Sequence, residues 1–298
     1  MGWFEGYEAG LHAVNGTTVH ALRGGTRGAP PLLLLHGFPQ THAIWHRVAQ
    51  RLAPRFELVL PDLRGYGRSA KPPGDTDHGN YGKRAMAADL VALMRSLGHQ
   101  RFLVAGHDRG GRVAHRMALD HPQAVAKLCV IDIVPTLAMY ERTDQAFATA
   151  YYHWFFLIQP QPLPETLIGA DPRWYLHQTL GGWGSRGLAH VEPEALADYE
   201  AGFCNPPGVH AACEDYRAAA SIDLVHDRAS RAARQHVACD LHVLWGERGV
   251  IARLFSPLDD WRAACAGMVS GRALPAGHFI PEELPEATSD ELARFFGP

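Results

Sequence analysis

The sequence has few features of a disulfide-bonded, metal-binding or nucleic-acid-binding protein. Its five cysteines are odd in number, widely spread and free of any C-x-x-C pair: Cys129, Cys204, Cys213, Cys239 and Cys265. This pattern argues against a disulfide framework and a zinc site. The formal net charge of -3 is not that of a basic, nucleic-acid-binding chain. We therefore expect reduced thiols, no metal and no nucleic-acid partner.

Long apolar runs are also missing. No segment approaches the roughly 18 consecutive apolar residues that span a bilayer, and the N-terminus lacks the basic and apolar regions of a secretory signal. These absences predict a cytoplasmic protein with no membrane partner. The 298 residues, 47% of them hydrophobic, can bury a large core, in one large domain or in a domain with a sizeable insertion.

Short apolar runs alternate with longer amphipathic ones along most of the chain. The predicted strands are 17–22, 31–36, 57–60, 102–105, 127–133, 241–245 and 269–274, and the predicted helices are 41–52, 83–97, 110–120 and about 283–296. This alternation is typical of an α/β fold with a mostly parallel central sheet flanked by helices.

Between about residues 136 and 222 the strand-like runs vanish, and aromatic and proline residues become dense. We interpret this stretch as a helical cap inserted over the carboxyl edge of the sheet, where ligands bind in open α/β sheets. The predicted organisation is therefore a first part of the core at 1–135, the cap at 136–222 and a second part of the core at 223–298.

The strongest motif is Gly106-His107-Asp108-Arg109-Gly110, which lies between a predicted strand and a predicted helix. This G-x-D-x-G turn resembles the nucleophile elbow of α/β hydrolases, with Asp in place of the usual Ser. It predicts the α/β-hydrolase fold with Asp108 as the nucleophile. An Asp that only caps the following helix is the alternative.

Other parts of the chain supply the partners that such a nucleophile needs. Of the 18 histidines, only His278 lies on a Gly-containing loop directly after the last predicted strand, where the general base of this fold belongs. Asp132 and Glu247 both follow strands and could orient it; their spacing does not separate them. The backbone N–H groups of Phe38, in the motif H-G-F-P, and of Arg109 are the predicted oxyanion hole.

A carboxylate is ionised at neutral pH and can displace a leaving group from an sp³ carbon without a base. The resulting ester on Asp108 would then be hydrolysed by water that His278 activates. The leaving group could be a halide or an epoxide oxygen. Arg109 and Arg112 lie three residues apart on one helix face and favour an anionic substrate, since a neutral one would leave both charges unpaired in a closed site.

Several motifs along the chain are similar to those of one family of hydrolases. They are H-G-F-P-Q at 36–40, D-L-R-G-Y-G at 62–67, G-H-D-R-G-G-R at 106–112, R-M-A-L-D-H-P at 116–122, Y-H-W at 152–154, I-G-A-D-P at 168–172, G-W-G at 182–184, D-Y-R-A at 215–218 and G-H-F at 277–279. With these motifs the chain resembles the fluoroacetate (haloacetate) dehalogenase family from about Phe4 to Phe296, cap included.

The resemblance implies a role for each matching residue. Asp108 would be the nucleophile, His278 the base and Asp132 the orienting acid. Arg109 and Arg112 would bind the substrate carboxylate. The remaining implied residues are His153, Trp154 and Tyr216 for the halide, and Trp183 as a lining residue of the pocket. The resemblance also implies a homodimer.

These observations predict hydrolysis of a 2-haloacetate, fluoroacetate or chloroacetate, to glycolate and halide, without a metal or an organic cofactor. The alternative enzyme is an epoxide hydrolase on the same scaffold, which predicts two cap tyrosines at the pocket and no need for paired arginines. A second alternative is a non-catalytic small-molecule-binding homologue. The simultaneous presence of Asp108, His278 and H-G-F-P argues against it.

Overall fold

The computed structural model describes residues 3–297 and contains one eight-stranded sheet. The strands are β1 Glu8–Val14, β2 Thr17–Gly25, β3 Pro31–Leu35, β4 Glu57–Pro61, β5 Phe102–His107, β6 Val125–Ile131, β7 Leu241–Gly246 and β8 Val269–Leu274. Their order in the sheet is β1-β2-β4-β3-β5-β6-β7-β8. All seven predicted strands are present, within two or three residues of their predicted ends.

Only the first part of the sheet is antiparallel. β1 pairs with β2, and β2 with β4, in antiparallel register, whereas every pair from β4 to β8 is parallel. The parallel majority follows from connections that carry helices between successive strands. β1 was not predicted: it is a mostly exposed edge strand, so it lacks the apolar run that identifies the buried strands.

The remaining regular structure of the described chain is helical. Apart from two short 3-10 turns at His42–Trp45 and Gly79–Tyr81, they are α1 His46–Leu52, α2 Lys83–Ser96, α3 Arg109–Asp120, α4 Thr136–Glu141, α5 Gln145–Ala150, α6 Tyr152–Phe156, α7 Leu163–Ala170, α8 Pro172–Leu180, α9 Pro193–Phe203, α10 Pro206–Ala220, α11 Ile222–Ala232, α12 Val250–Leu254, α13 Pro257–Arg262, α14 Ile280–Glu283 and α15 Pro285–Phe296. The four predicted helices correspond to the 3-10 turn with α1, to α2, to α3, and to α14 with α15.

Two apolar layers cover the faces of the sheet. Alternate residues of β3 enter different layers: Leu32 and Leu34 pack with α1 and α15, while Leu33 and Leu35 pack with α2 and α3. This period of two is that of a strand buried on both faces. The predicted α/β architecture, a mostly parallel sheet flanked by helices, is therefore confirmed.

Between Ile131 and Leu241 the described chain forms eight helices, α4 to α11, and no strand of the sheet. This is the predicted helical insertion, and it follows β6 at the carboxyl edge of the sheet. The division of the chain at residues 136 and 222 remains a prediction. No helix within residues 3–297 is long and apolar enough to cross a membrane.

Candidate active site

Asp108 occupies a strained turn between β5 and α3. Its φ of 45° and ψ of -115° lie in a region that costs a non-glycine residue roughly 1–3 kcal/mol. The flanking glycines are required by close packing: a Cβ on Gly106 would lie 2.5 Å from the Gly110 carbonyl oxygen, and one on Gly110 would lie 2.3 Å from the His36 carbonyl oxygen. The Asp108 side chain makes no capping hydrogen bond to α3, which argues against the helix-cap alternative.

The Asp108 carboxylate faces both the H-G-F-P loop and His278. The Phe38 N–H donates to Asp108 Oδ1 at 3.0 Å, and His278 Nε2 lies 4.0 Å from Asp108 Oδ2. Burial alone would raise the pKa of Asp108, but the charges of His278 and Arg112 outweigh it and hold this pKa below its usual value. The carboxylate is therefore ionised at neutral pH.

Asp132, and not Glu247, contacts His278. Asp132 Oδ2 lies 2.6 Å from His278 Nδ1, and its Oδ1 accepts a hydrogen bond from the Gly246 N–H at 2.9 Å. Glu247 is exposed to solvent. Burial would lower the pKa of His278, but the bond to Asp132 reverses this and raises the pKa above its usual value.

Arg109 is fully buried, and Asp215 of α10 holds it in a bidentate ion pair. Arg109 Nε donates to Asp215 Oδ2 at 2.9 Å, and Nη2 donates to Oδ1 at 2.6 Å and to the Asp215 carbonyl at 2.7 Å. Lys83 and the Tyr66 hydroxyl also bond to this carboxylate. The expectation that both arginines would lack a counter-charge was therefore wrong for Arg109, because the cap supplies one from a distant part of the chain.

Arg112 has no such partner. Its Nη1 donates to the Val134 carbonyl at 3.2 Å and to Thr136 Oγ1 at 3.0 Å, and its guanidinium carbon lies 4.6 Å from the centre of the Trp154 ring. No carboxylate within residues 3–297 forms a salt bridge with it, although the side chain is buried. Burial accordingly lowers its pKa, and the opposing effects of Asp108, Tyr151 and Tyr216 do not outweigh burial. Arg112 is thus the buried cation that an anionic ligand would neutralise.

Aromatic side chains of the cap gather beside the elbow. The ring centres of His153 and Tyr216 are 5.6 Å apart, those of Trp154 and Tyr216 are 6.4 Å apart, and Tyr216 lies 5.2 Å from Phe38. His153 Nδ1 and the Tyr216 hydroxyl find no hydrogen-bond partner within the described chain. Burial holds the pKa of His153 well below its usual value, so its ring is neutral and carries one N–H.

Trp183 links the cap to the loop of the base. Its ring centre lies 4.4 Å from that of His153 and 5.1 Å from that of His278. Its carbonyl accepts a hydrogen bond from the His278 N–H at 3.1 Å. The structure therefore brings all the predicted site residues into one cluster.

Two residues of this cluster were not predicted from the sequence. Asp215 was noted only as the first residue of the D-Y-R-A motif. Its neighbour Tyr216, a predicted halide ligand, is the one signal in the sequence that could have placed Asp215 at the site. Tyr151 is buried, with its ring centre 5.1 Å from that of His153 and 5.7 Å from that of Trp183. It directly precedes the Y-H-W motif, and this position is the signal that could have placed Tyr151 at the site.

One buried cluster has the composition of a metal site. His20, His42 and Asp62 offer ligand atoms within 4.8 Å of one another. The Asp62 carboxylate, however, already accepts four hydrogen bonds, from His20 Nδ1, His42 Nδ1 and the backbone N–H groups of His42 and Arg68. This pattern indicates a structural network that ties β2 to the loops after β3 and β4.

Known proteins share the sequence pattern and the overall fold of this chain. A sequence model of the alpha/beta hydrolase fold matches residues 30–283. The chain is 45% identical over 292 residues to a fluoroacetate dehalogenase from Burkholderia sp, covering 98% of this chain and 94% of that protein. It is 30% identical over 290 residues to a soluble epoxide hydrolase from Corynebacterium sp. (strain C12), covering 96% of each. An α/β hydrolase structure from Nostoc sp PCC 7120 superposes with a TM-score of 0.95 at 50% identity and covers 99% of both chains. The predicted resemblance is confirmed.

Proposed function

The chain belongs to the α/β hydrolase fold family, and on that basis we propose that it hydrolyses a 2-haloacetate, fluoroacetate or chloroacetate, to glycolate and halide. One observation carries the proposal. A buried carboxylate nucleophile, Asp108, lies close to Arg112, a buried cation without a carboxylate partner in the described chain. A small anionic substrate compensates that charge and offsets its own repulsion from Asp108.

The first step is displacement of the halide. Arg112 and the Nη1 group of Arg109, which has no partner within residues 3–297, hold the substrate carboxylate. This places the carbon that bears the halide in front of Asp108. A carboxylate oxygen attacks that carbon, the carbon–halide bond breaks with its electron pair on the halide, and an ester forms on Asp108.

The halide leaves toward the cap. The Trp154 indole N–H, the Tyr216 hydroxyl and the neutral His153 ring are the donors that surround this region, and fixed donors suit a small, strongly hydrated anion such as fluoride. No proton transfer is needed, since the halide is a stable anion. Trp183 lines the same space beside His153.

The second step hydrolyses the ester. Neutral His278 takes a proton from water, and the water oxygen attacks the Asp108 carbonyl carbon. The Phe38 N–H, which already contacts Oδ1, and the Arg109 N–H stabilise the developing oxyanion. Asp132 keeps His278 in one orientation and stabilises its cationic form. Glycolate leaves, Asp108 is regenerated with one oxygen from water, and the proton on His278 passes to solvent.

The pH dependence of turnover follows from the raised pKa of His278. The base acts in its neutral form, so turnover falls as the pH drops through this pKa. Asp108 stays ionised throughout, because its own pKa is lowered. We expect the acidic limb of the kcat profile for chloroacetate to have its midpoint above 6.5, the usual histidine value. A midpoint below 6.5 would contradict the assignment of His278 as a base whose pKa is raised by Asp132.

Two features bear on the epoxide hydrolase alternative: the number of cap tyrosines at the site and the presence of buried arginines. Tyr151 and Tyr216 both belong to the aromatic cluster around His153, so the presence of two cap tyrosines does not separate the two activities. The buried charge of Arg112 does separate them, since a neutral epoxide would leave it uncompensated. For this reason the haloacetate is the favoured substrate. The cytoplasmic location and the homodimer are further proposals that rest on the cysteine pattern and on the resemblance.

The deciding experiment is halide release from fluoroacetate and chloroacetate, measured side by side with the purified protein. We expect glycolate and halide in equal amounts, and no release from Asp108→Asn, which keeps the shape of the side chain but removes the nucleophilic charge. A protein that releases neither halide would refute the proposal. Activity retained in Asp108→Asn would refute the covalent route.

A further inference from the structure

Halide release uses the Tyr216 hydroxyl only as a hydrogen-bond donor and leaves its proton in place. The Tyr216 hydroxyl is buried, lacks a partner within residues 3–297, and carries a proton that it can transfer, unlike the indole N–H of Trp154. Its ring packs on Phe38, whose N–H contacts the nucleophile, and lies 4.2 Å from the guanidinium carbon of Arg109. A leaving group that needs a proton would therefore meet one here.

We infer that the same site also hydrolyses 2,3-epoxy carboxylates, of which glycidate is the smallest, to 2,3-dihydroxy acids. This inference rests on the proposed roles of Asp108, His278 and the two arginines, and it extends them to a different leaving group. Glycidate has a carboxylate next to the carbon that bears the leaving oxygen, as a haloacetate has next to the carbon that bears the halide. It is larger than fluoroacetate by one non-hydrogen atom.

Binding of the carboxylate fixes the geometry of ring opening. With that group on Arg112 and Arg109 Nη1, C2 faces Asp108 and the ring oxygen occupies the halide position beside Tyr216. Asp108 attacks C2, the C2–O bond breaks, and its electron pair stays on oxygen. That oxygen takes the proton of Tyr216 and becomes the hydroxyl on C3. The neutral His153 ring supplies a second hydrogen bond.

Tyr216 is protonated when the substrate arrives. Burial and the nearby charge of Asp108 raise the pKa of its hydroxyl well above the usual value. An alkoxide is a much stronger base than a phenolate, so the transfer remains downhill. A halide is a far weaker base and takes no proton from the same hydroxyl.

The second half of the cycle restores both groups. Water attacks the Asp108 ester while His278 takes its proton, and the C2 hydroxyl of the product is released. The proton on His278 returns to the Tyr216 phenolate. The sum is glycidate plus water giving glycerate, with no net release of acid, whereas each haloacetate turnover releases one proton together with the halide.

The test compares three substrates on the wild-type protein. Chloroacetate reports the proposed function, glycidate reports the inference, and propylene oxide carries the same ring with a methyl group in place of the carboxylate. We expect glycerate from glycidate, without acidification of an unbuffered solution, and turnover of propylene oxide at least about a hundredfold slower, since it cannot bind Arg112. In ¹⁸O water, a single turnover should give glycerate without label, because its C2 oxygen comes from Asp108.

Two tyrosine variants then test the proton donor. Tyr216→Phe keeps the ring and removes only the hydroxyl, so we expect glycidate turnover to fall by about 10²-fold or more, and chloroacetate turnover by less than about tenfold because the other halide donors remain. Tyr175→Phe is the matched control, because Tyr175 is a buried cap tyrosine that stacks on Phe203. It should change neither activity.

The outcomes separate the inference from the proposed function. Chloroacetate turnover without glycerate formation overturns the inference alone, and so does an equal loss of both activities in Tyr216→Phe. Propylene oxide hydrolysed as fast as glycidate overturns the requirement for a carboxylate. A protein inert toward chloroacetate and glycidate overturns the proposed function together with the inference.

Discussion

Replacement of His278 by Asn is expected to stop turnover and leave Asp108 as a carboxymethyl ester. The displacement step needs no base, because Asp108 is already ionised and Arg112 still lowers its pKa. The hydrolysis step loses its base, and general-base catalysis of this kind contributes on the order of 10²–10⁴-fold in rate. The ester should therefore accumulate to about one per active site.

Intact-protein mass spectrometry after incubation with chloroacetate or fluoroacetate measures this adduct, and peptide mapping places it on Asp108. The double variant Asp108→Asn/His278→Asn is the control and should gain no mass. An adduct on another residue, or an unmodified His278→Asn protein that has lost all activity, would contradict the two-step covalent mechanism. Wild-type protein should not accumulate the ester under the same conditions.

The parts of the site that the sequence predicted are those with a fixed place on a strand. Asp108 follows β5 and His278 follows β8, and in a parallel sheet these carboxyl ends lie at one edge. Gly106 and Gly110 on either side of Asp108, and Gly277 before His278, mark the tight turns. Asp132 and Glu247 both fitted this rule because β6 and β7 are neighbours. Only the three-dimensional course of each loop leaves Asp132 buried against His278 and Glu247 exposed.

The pairing of Arg109 could not be predicted, because it depends on how the cap packs on the core. Asp215 lies 106 residues further along the chain, in a helix whose sequence indicates only a buried face. Lys83 of α2 and Tyr66 of the loop after β4 reach the same carboxylate. From helical spacing alone, Arg109 and Arg112 are equivalent. In the folded protein, Asp215 supplies a counter-charge to Arg109, and Arg112 has none within residues 3–297.

Because only Arg109 has a counter-charge, the same substitution at the two arginines should have different effects on stability. Arg109→Leu removes the main partner of Asp215 and leaves a buried carboxylate with Lys83 and Tyr66 only. Breaking a buried ion pair costs about 3–5 kcal/mol, so the melting temperature should fall steeply. Arg112→Leu removes a buried cation without an ion pair, at a site lined by Trp154 and Met139. Its melting temperature should stay the same or rise.

The effect on substrate binding should be clearest in Arg112→Leu, since the protein remains folded. Loss of charged hydrogen bonds to the substrate carboxylate costs about 1.5–3 kcal/mol, which corresponds to a rise of roughly ten- to a hundredfold in KM for chloroacetate. Arg112→Lys should recover part of this loss, because the charge returns without the bidentate geometry. Thermal unfolding and steady-state kinetics on the three variants measure both effects. If Arg112→Leu left KM unchanged, the buried charge would have a purely structural role, and the argument for an anionic substrate would fail even if Asp108 still acted as the nucleophile.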